Sequence, residues 1–224
     1  MALDRDIILE QAFAILNESG PDSLTLRRLA QRLGVQAPAI YWHFKNKQEL
    51  WDEMGTRVFR EAAEWRQPEW DGPGTQSWQE WARGYAQGLR QTLLRYREGA
   101  RMFSGTAITD PALFASLDAS LRRLTDAGFS FEASLASLTV LYSYTIGFVI
   151  EEQAVHPAPG EENPVYDPKL RAERIDKERF PLAHAAGPPM AGGAEVRFDG
   201  GLQIILQGMA AMLTTQPSTQ ASVV

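Results

Sequence analysis

The stretch from Phe131 to Gln153 constrains the fold more than any other part of the chain, because it is helical by its length and residues and apolar on nearly every side. A helix on the surface of a soluble protein has one apolar face, whereas a helix that is apolar all round is enclosed by other elements. The stretch therefore predicts a helix that lies at the centre of a bundle or across an interface.

Apolar residues elsewhere in the chain also repeat with a helical period. Ile8, Ala12, Ile15 and Leu16 occupy positions i, i+4, i+7 and i+8 of a first helix, and a similar stripe runs through the last helix, from Leu202 to Leu213. Alternating apolar positions, which are typical of strands, occur only inside longer helical periods. The sequence therefore predicts an all-α fold.

Two short helices joined by a tight turn follow the first helix. Thr25 is the expected N-cap of a helix from Leu26 to Leu33, and Gly34 is expected just past its end. Pro38 suits the first turn of the next helix, which is predicted to end at His43. This spacing predicts a helix-turn-helix, but spacing alone leaves open whether the aromatic residues at 41–44 belong to the core or contact a partner.

The charge of the chain is distributed unevenly. The formal net charge is −6, yet residues 23–48 contain five basic residues and no Asp or Glu, which leaves −11 for the rest of the chain. A small basic segment on an acidic body indicates a protein that touches phosphate at one end only.

The composition also narrows the cellular setting. The chain has no cysteine, so it offers neither a disulfide nor a thiolate ligand or nucleophile. Its N-terminus carries acids where a signal peptide would carry bases, and we expect none of its apolar runs to approach the roughly 18 residues that a membrane span requires. We expect a cytoplasmic protein without membrane association.

Two other classes of function fit the sequence less well. The histidines are His43, His156 and His184, and their positions suggest neither a catalytic triad nor metal-ligand spacing. We therefore expect no enzyme, metal or cofactor. A helical scaffold without DNA binding would leave unexplained why the acid-free basic segment coincides with the helix-turn-helix.

Residues 24–54, LTLRRLAQRLGVQAPAIYWHFKNKQELWDEM, resemble the DNA-binding segment of the tetracycline-repressor (TetR) family. Segments 77–106, 127–153 and the C-terminal helix resemble the core of the family's tetracycline-binding members, so the resemblance covers the chain except Pro157 to Gly193. It implies a three-helix head over 1–48, a helical ligand-binding and dimerisation bundle over 49–214, and a flexible tail over 215–224. Loops are expected at 67–74 and, in mobile form, at 155–168.

The resemblance places the third helix in the major groove of DNA. It implies that the head contacts DNA through Arg27, Arg28, Ala37, Pro38, Ala39, Tyr41, Trp42, His43 and Lys47. For Trp42, packing against the fourth helix is the alternative to a base or sugar contact. The start of the third helix has no side chain that can hydrogen-bond a base, so we expect thymine-methyl contacts, the two arginines and DNA shape to set the sequence preference.

The resemblance also implies an effector pocket whose polar contacts have changed. Phe103 stands where the tetracycline-binding members have a metal-ligating histidine, and phenylalanine cannot bind a metal. Tyr85 and Ser120 stand where those members have an asparagine and a glutamine that bind the drug, and Ala107 stands where they have an arginine. Glu151 retains the glutamate that the partner subunit contributes in those members. The predicted ligand-binding residues are Tyr85, Leu89, Phe103, Thr106, Ser120, Tyr144, Phe148 and Glu151.

A mechanism follows from the resemblance. The chain is expected to be a homodimer that binds a palindromic operator in double-stranded DNA and is released by a small, largely hydrophobic or aromatic effector. Taken singly, Leu89, Phe103 and Tyr144 have core packing as their alternative explanation, and Glu151 has a solvated helix end as its alternative. A ligand-responsive activator of the same fold is the alternative function.

Overall fold

The computed structural model describes residues 3–64, 77–187 and 193–214. Within these ranges the chain forms helices and no strand, which confirms the all-α prediction. The helices are α1 (Arg5–Ser19), α2 (Leu26–Leu33), α3 (Ala37–Tyr41), α4 (Lys47–Glu64), α5 (Trp78–Leu94), α6 (Gly99–Phe103), α7 (Leu113–Asp126), α8 (Phe131–Val155), α9 (Pro168–Arg174), α10 (Pro181–Ala185) and α11 (Ala194–Thr214), with 3₁₀ turns at Pro21–Ser23 and Pro164–Tyr166.

The ends of α2 follow the sequence signals. The Thr25 hydroxyl accepts a hydrogen bond from the Arg28 amide at 3.1 Å, which satisfies an otherwise free N–H of the first turn. Gly34 ends the helix at φ 66°, a left-handed conformation that glycine adopts without a steric penalty. The third helix is shorter than predicted: it ends at Tyr41, so Trp42 and His43 lie in the turn that follows.

One apolar core joins the helix-turn-helix to the rest of the protein. Leu50 and Met54 of α4 are buried with Ile8 and Phe44, and the same cluster continues to Phe103. Helix α4 thus crosses the predicted boundary between residues 48 and 49 without a gap in packing. A second cluster joins α5, α7, α8 and α11 around residues such as Trp81, Leu141, Phe198 and Leu202.

Helix α8 occupies the central position that its sequence predicts. It packs against α5, α6, α7 and α11. Contrary to the sequence expectation, α8 is long and apolar enough to cross a membrane by length and composition alone, a test that the core helix of a soluble protein also passes. Its packing against four other helices accounts for the buried side of α8, which is 44% of its most apolar 18-residue window.

The segment after α8 is irregular, as predicted, but is tied to the body. Asn163 donates from its backbone N–H to the Val155 carbonyl at 2.8 Å and from its side-chain Nδ2 to the Ala154 carbonyl at 3.0 Å. Two short helices follow this segment, α9 and α10, with a turn between them. The predicted loop at 67–74 and tail at 215–224 lie outside the described residues.

Candidate nucleic-acid interface and effector cavity

The aromatic residues of the helix-turn-helix divide between core and surface. Ile40 and Phe44 are fully buried, whereas Tyr41 is 53% and Trp42 is 89% exposed. The alternative in which Trp42 packs against α4 is therefore wrong for this structure. An exposed indole beside the first turn of α4 is available to a partner surface.

The basic residues of α2 are not equally available. Arg32 donates two hydrogen bonds to the Glu18 carboxylate, both at 2.7 Å, and these lower the pKa of Glu18. Arg28 donates to the Ser19 hydroxyl at 2.8 Å. Arg27 is exposed and has no hydrogen bond or ion pair within the part of the chain that the structure describes. Arg27 is thus the most available of the three arginines of α2.

The turn between α3 and α4 is held by a residue that the sequence pattern did not reveal. Arg5 of α1 donates to the His43 carbonyl at 2.7 Å, and its guanidinium lies 4.3 Å from the centre of the Phe44 ring. Lys47 lies beyond this turn, with its ammonium 5.1 Å from the centre of the Trp51 ring. Arg5 therefore holds the turn that follows α3, and only the folded contact between α1 and this turn reveals it.

The predicted DNA-binding residues lie on or beside one helix-turn-helix. Gln36, Pro38 and Tyr41 are exposed, while Ala37 and Ala39 are half-buried. The first turn of α3 presents methyl and methylene groups, which suit contact with thymine methyl groups and cannot form hydrogen bonds with base edges.

A cavity of about 310 Å³ lies in the body, between α4, α5, α7, α8 and the loop after α6. Each helix contributes residues at helical spacing, so one face of each helix points inward. The lining residues are Phe59, Ala62, Ala63, Trp81, Gly84, Tyr85, Leu89, Ile108, Leu113, Ser116, Leu117, Ser120, Leu135, Leu138, Thr139 and Tyr142. None of these described lining residues carries a charge.

Three of the eight predicted ligand-binding residues, Tyr85, Leu89 and Ser120, line this cavity. Phe103 lies behind its wall, fully buried, with its ring centre 4.1 Å from that of Phe59. Thr106 faces α4 and donates from its hydroxyl to the Phe103 carbonyl at 2.9 Å.

The other three predicted residues lie away from the cavity of their own chain. Tyr144 and Phe148 pack around Phe198 of α11, and the Tyr144 hydroxyl donates to the Phe198 carbonyl at 2.8 Å. Glu151 is exposed near the end of α8. Because α8 is apolar on nearly every side, its sequence does not show which side faces the cavity. The sequence therefore could not distinguish these three residues from Leu138 and Tyr142, which do line the cavity.

The loop between α6 and α7 contacts both the cavity and α4. Ile108 lines the cavity. On either side of it, the Ala107 amide donates to Asp52 at 2.9 Å, and the Thr109 amide donates to the Thr56 hydroxyl at 2.9 Å. Arg60 extends this contact along α4 through a 2.7 Å hydrogen bond to Asp110.

Comparisons with known proteins agree with this geometry. Residues 8–54 match the tetR family of bacterial regulatory proteins, and residues 71–213 match the tetracyclin repressor-like C-terminal domain. The tetracycline repressor protein class A from transposon 1721 of Escherichia coli is 38% identical over 213 residues, which cover 93% of this chain and 91% of that protein. The chain belongs to the TetR family.

Solved structures of TetR-family proteins share the whole architecture. A possible TetR family transcriptional regulator from Streptomyces coelicolor A3(2) has a TM-score of 0.81 and 33% identity, over 93% of this chain and 99% of that one. The ActR protein of Streptomyces coelicolor in complex with actinorhodin has a TM-score of 0.78 and 25% identity, over 95% and 99% of the two chains. This TetR-family chain is a transcriptional regulator, and its relatives, which are not enzymes, decide against the enzyme alternative.

The described cavity lining of this TetR-family chain offers no side chain that commonly holds a divalent metal. Carboxylates, imidazoles and thiolates are the side chains that hold divalent metals, and none occurs among the described lining residues. No group of three or more His, Asp or Glu residues capable of holding a metal exists elsewhere in the described ranges. Phe103, which the resemblance aligns with a metal-ligating histidine, is buried in an aromatic cluster.

Proposed function

We propose that this protein is a homodimeric repressor that binds a palindromic operator and leaves it when a neutral, largely apolar molecule occupies the cavity of about 310 Å³. One observation supports this most strongly: helix α4 belongs to both sites. Its first half buries Leu50 and Met54 in the core of the head, and its second half lines the cavity with Phe59, Ala62 and Ala63.

The sharing of α4 provides a physical route from ligand to DNA. A ligand shifts an equilibrium only by its difference in affinity for the two states, and couplings of this kind are typically about 1–3 kcal/mol. Side chains that close around a ligand displace Phe59 or Ile108, and the hydrogen bonds from the loop to Asp52 and Thr56 transmit that displacement along α4. The head at the other end of α4 then turns relative to its operator.

The dimer is proposed from two unpartnered stripes of small and apolar residues. On α8 the exposed stripe comprises Ala136, Val140, Ser143 and Gly147, and on α11 it comprises Val196, Gly200, Ile204 and Gly208. Small residues on adjacent helices allow close approach of two identical faces around a two-fold axis. Glu151 lies one turn beyond Gly147 on the same stripe, so it faces the partner subunit in such a dimer.

Light scattering tests the dimer. The expected mass at micromolar concentration is about twice the chain mass of 24.9 kDa. Gly147→Arg should lower the mass to that of one chain, because a side chain at Gly147 meets open space in the monomer but obstructs a partner. Ala127→Arg, at an exposed position outside the stripes, is the control. A wild-type mass of one chain would exclude the dimer.

The operator function is tested with the DNA upstream of the protein's own gene. Fluorescence anisotropy at two salt concentrations, with random duplex as competitor, should show tight and competitor-resistant binding of two chains per site. Binding that disappears equally with random competitor would contradict self-regulation through this site. Since a bacterial operator is the proposed site of action, we also propose that the protein is cytoplasmic.

Arg27→Ala should weaken DNA binding on every sequence and reduce the slope of log affinity against log salt by about one, because one phosphate contact is lost. Arg32→Ala is the matched control from the same helix, since Glu18 already neutralises that guanidinium. We expect the control to change the slope by clearly less. Equal slope changes in the two variants would refute the special role of Arg27.

A further inference from the structure

Tyr142 of α8 brings a polar group into the cavity at a point that the sequence pattern did not single out. Its ring lies against the aromatic cluster, with its centre 6.4 Å from that of Phe59 and 6.3 Å from that of Phe103. Its side chain lines the cavity. Its hydroxyl has no hydrogen-bond partner among the residues at 3–64, 77–187 and 193–214.

Two other hydroxyl groups of the lining are already engaged. Ser120 donates to the Ser116 carbonyl and Thr139 donates to the Leu135 carbonyl, each at 2.8 Å within its own helix. A ligand group that accepts from either hydroxyl must replace this hydrogen bond, so the exchange brings little net gain. The Tyr142 hydroxyl breaks no such hydrogen bond when it meets a ligand oxygen.

Burial raises the pKa of Tyr142, so its hydroxyl keeps its proton at neutral pH and remains a donor. The Tyr142 hydroxyl is not among the buried side-chain atoms that lack a partner, so water can reach it, and a ligand oxygen that replaces this water gains the modest net benefit of one hydrogen bond. The opposite holds for a charged ligand group. With no ionic side chain in the described lining, it would lose its hydration without compensation.

We propose that Tyr142 is the residue that anchors the effector, and that the effector is a neutral aromatic compound whose hydroxyl or carbonyl oxygen meets the Tyr142 hydroxyl while its rings lie against Phe59. This inference rests on the proposed function, because it takes the cavity as the effector site. It adds the anchoring residue and the chemical class of the effector.

Three probes of nearly equal size separate the effects of the aromatic rings, a hydroxyl group and a negative charge on binding. They are naphthalene, 2-naphthol and 2-naphthoate. Equilibrium dialysis at pH 7 gives the affinity of each for the full-length protein and for Tyr142→Phe, which removes only the hydroxyl. Wild type should bind 2-naphthol about 5- to 10-fold more tightly than naphthalene, which corresponds to one net hydrogen bond. In Tyr142→Phe this preference should disappear, with naphthalene affinity unchanged.

The charge of the probe tests the second half of the inference. The carboxylate of 2-naphthoate should reduce wild-type affinity at least about 10-fold relative to 2-naphthol, because it is buried without a cation. Equal affinity for the two would overturn the assignment of a neutral ligand. A preference for 2-naphthol that persists in Tyr142→Phe, or that is absent from wild type, would overturn the role of Tyr142.

A cavity-filling variant distinguishes a wrong assignment of Tyr142 as the anchor from a wrong assignment of the cavity as the effector site. Ala63→Trp places an indole in the cavity from α4 and should abolish binding of naphthalene and 2-naphthol alike. Probes that bind wild type, fail to bind Ala63→Trp and ignore Tyr142→Phe leave the cavity as the effector site and reject Tyr142 as its anchor. Probes that bind Ala63→Trp as well as wild type reject the cavity itself, and the inference with it.

Discussion

Arg90→Met is expected to destabilise the protein by about 3–5 kcal/mol, because it leaves a buried carboxylate without its partner. Arg90 of α5 donates from Nη2 and Nε to the two Glu152 oxygens of α8, at 2.6 and 2.9 Å. The two side chains are only 14% and 9% exposed. The Arg90 guanidinium also lies 5.2 Å from the centre of the Phe198 ring of α11.

A double variant shows whether the loss comes from the unpaired charge. Arg90→Met with Glu152→Gln removes both charges and nearly keeps the side-chain volumes, so it should recover most of the stability lost in the single variant. The measurement is urea unfolding at fixed protein concentration, since unfolding of a dimer depends on concentration. If the single and double variants lose the same free energy, the loss reflects packing against Phe198 and not charge.

The Arg90 and Glu152 pair also bears on function through the helices that it joins. It fixes α5 to α8 beside α11, and the exposed stripes of α8 and α11 form the proposed dimer face. The orientation of that face therefore depends on an ion pair that neither stripe contains. We expect the single variant to weaken dimerisation as well as folding.

Much of the fold was predictable because helical periods and end signals are local. Thr25, Gly34 and Pro38 mark helix ends through their own backbone preferences, and the structure places those ends within two residues of the prediction. The inward direction of Ile40 and Phe44 follows from the same period. These features need no knowledge of what packs against them.

The cavity was harder to predict because its lining depends on helix rotation. An amphipathic helix shows in its sequence which side faces inward, but α8 is apolar on nearly every side. Its rotation is set by α5, α7 and α11, which turn Tyr142 into the cavity and Tyr144 toward Phe198. The same limit applies to Arg32, whose partner Glu18 is on another helix. Tertiary contacts of this kind leave no signal in a single sequence.

The second large effect is expected at the contact between α4 and the loop after α6. A Cβ at Gly55 would lie 2.4 Å from Thr106 Oγ1 and 2.9 Å from Thr106 Cβ, so Gly55→Ala forces the loop away from α4. Thr106 resists this movement through its hydrogen bond to the Phe103 carbonyl. We expect a loss of about 1–3 kcal/mol in the free energy of unfolding, which is typical of overpacking.

The compensating substitution gives this prediction its control. Thr106→Gly removes the atoms that clash with a methyl group at position 55, and alanine is favoured over glycine inside a helix by roughly 0.5–1 kcal/mol. Gly55→Ala should therefore destabilise the wild-type protein and stabilise the Thr106→Gly variant, a reversal of sign that urea unfolding detects directly. The same sign in both backgrounds would mean that the loop does not rest on α4 at this point. Since this contact lies beside the loop hydrogen bonds to Asp52 and Thr56, that result would also count against the proposed route by which effector binding moves α4.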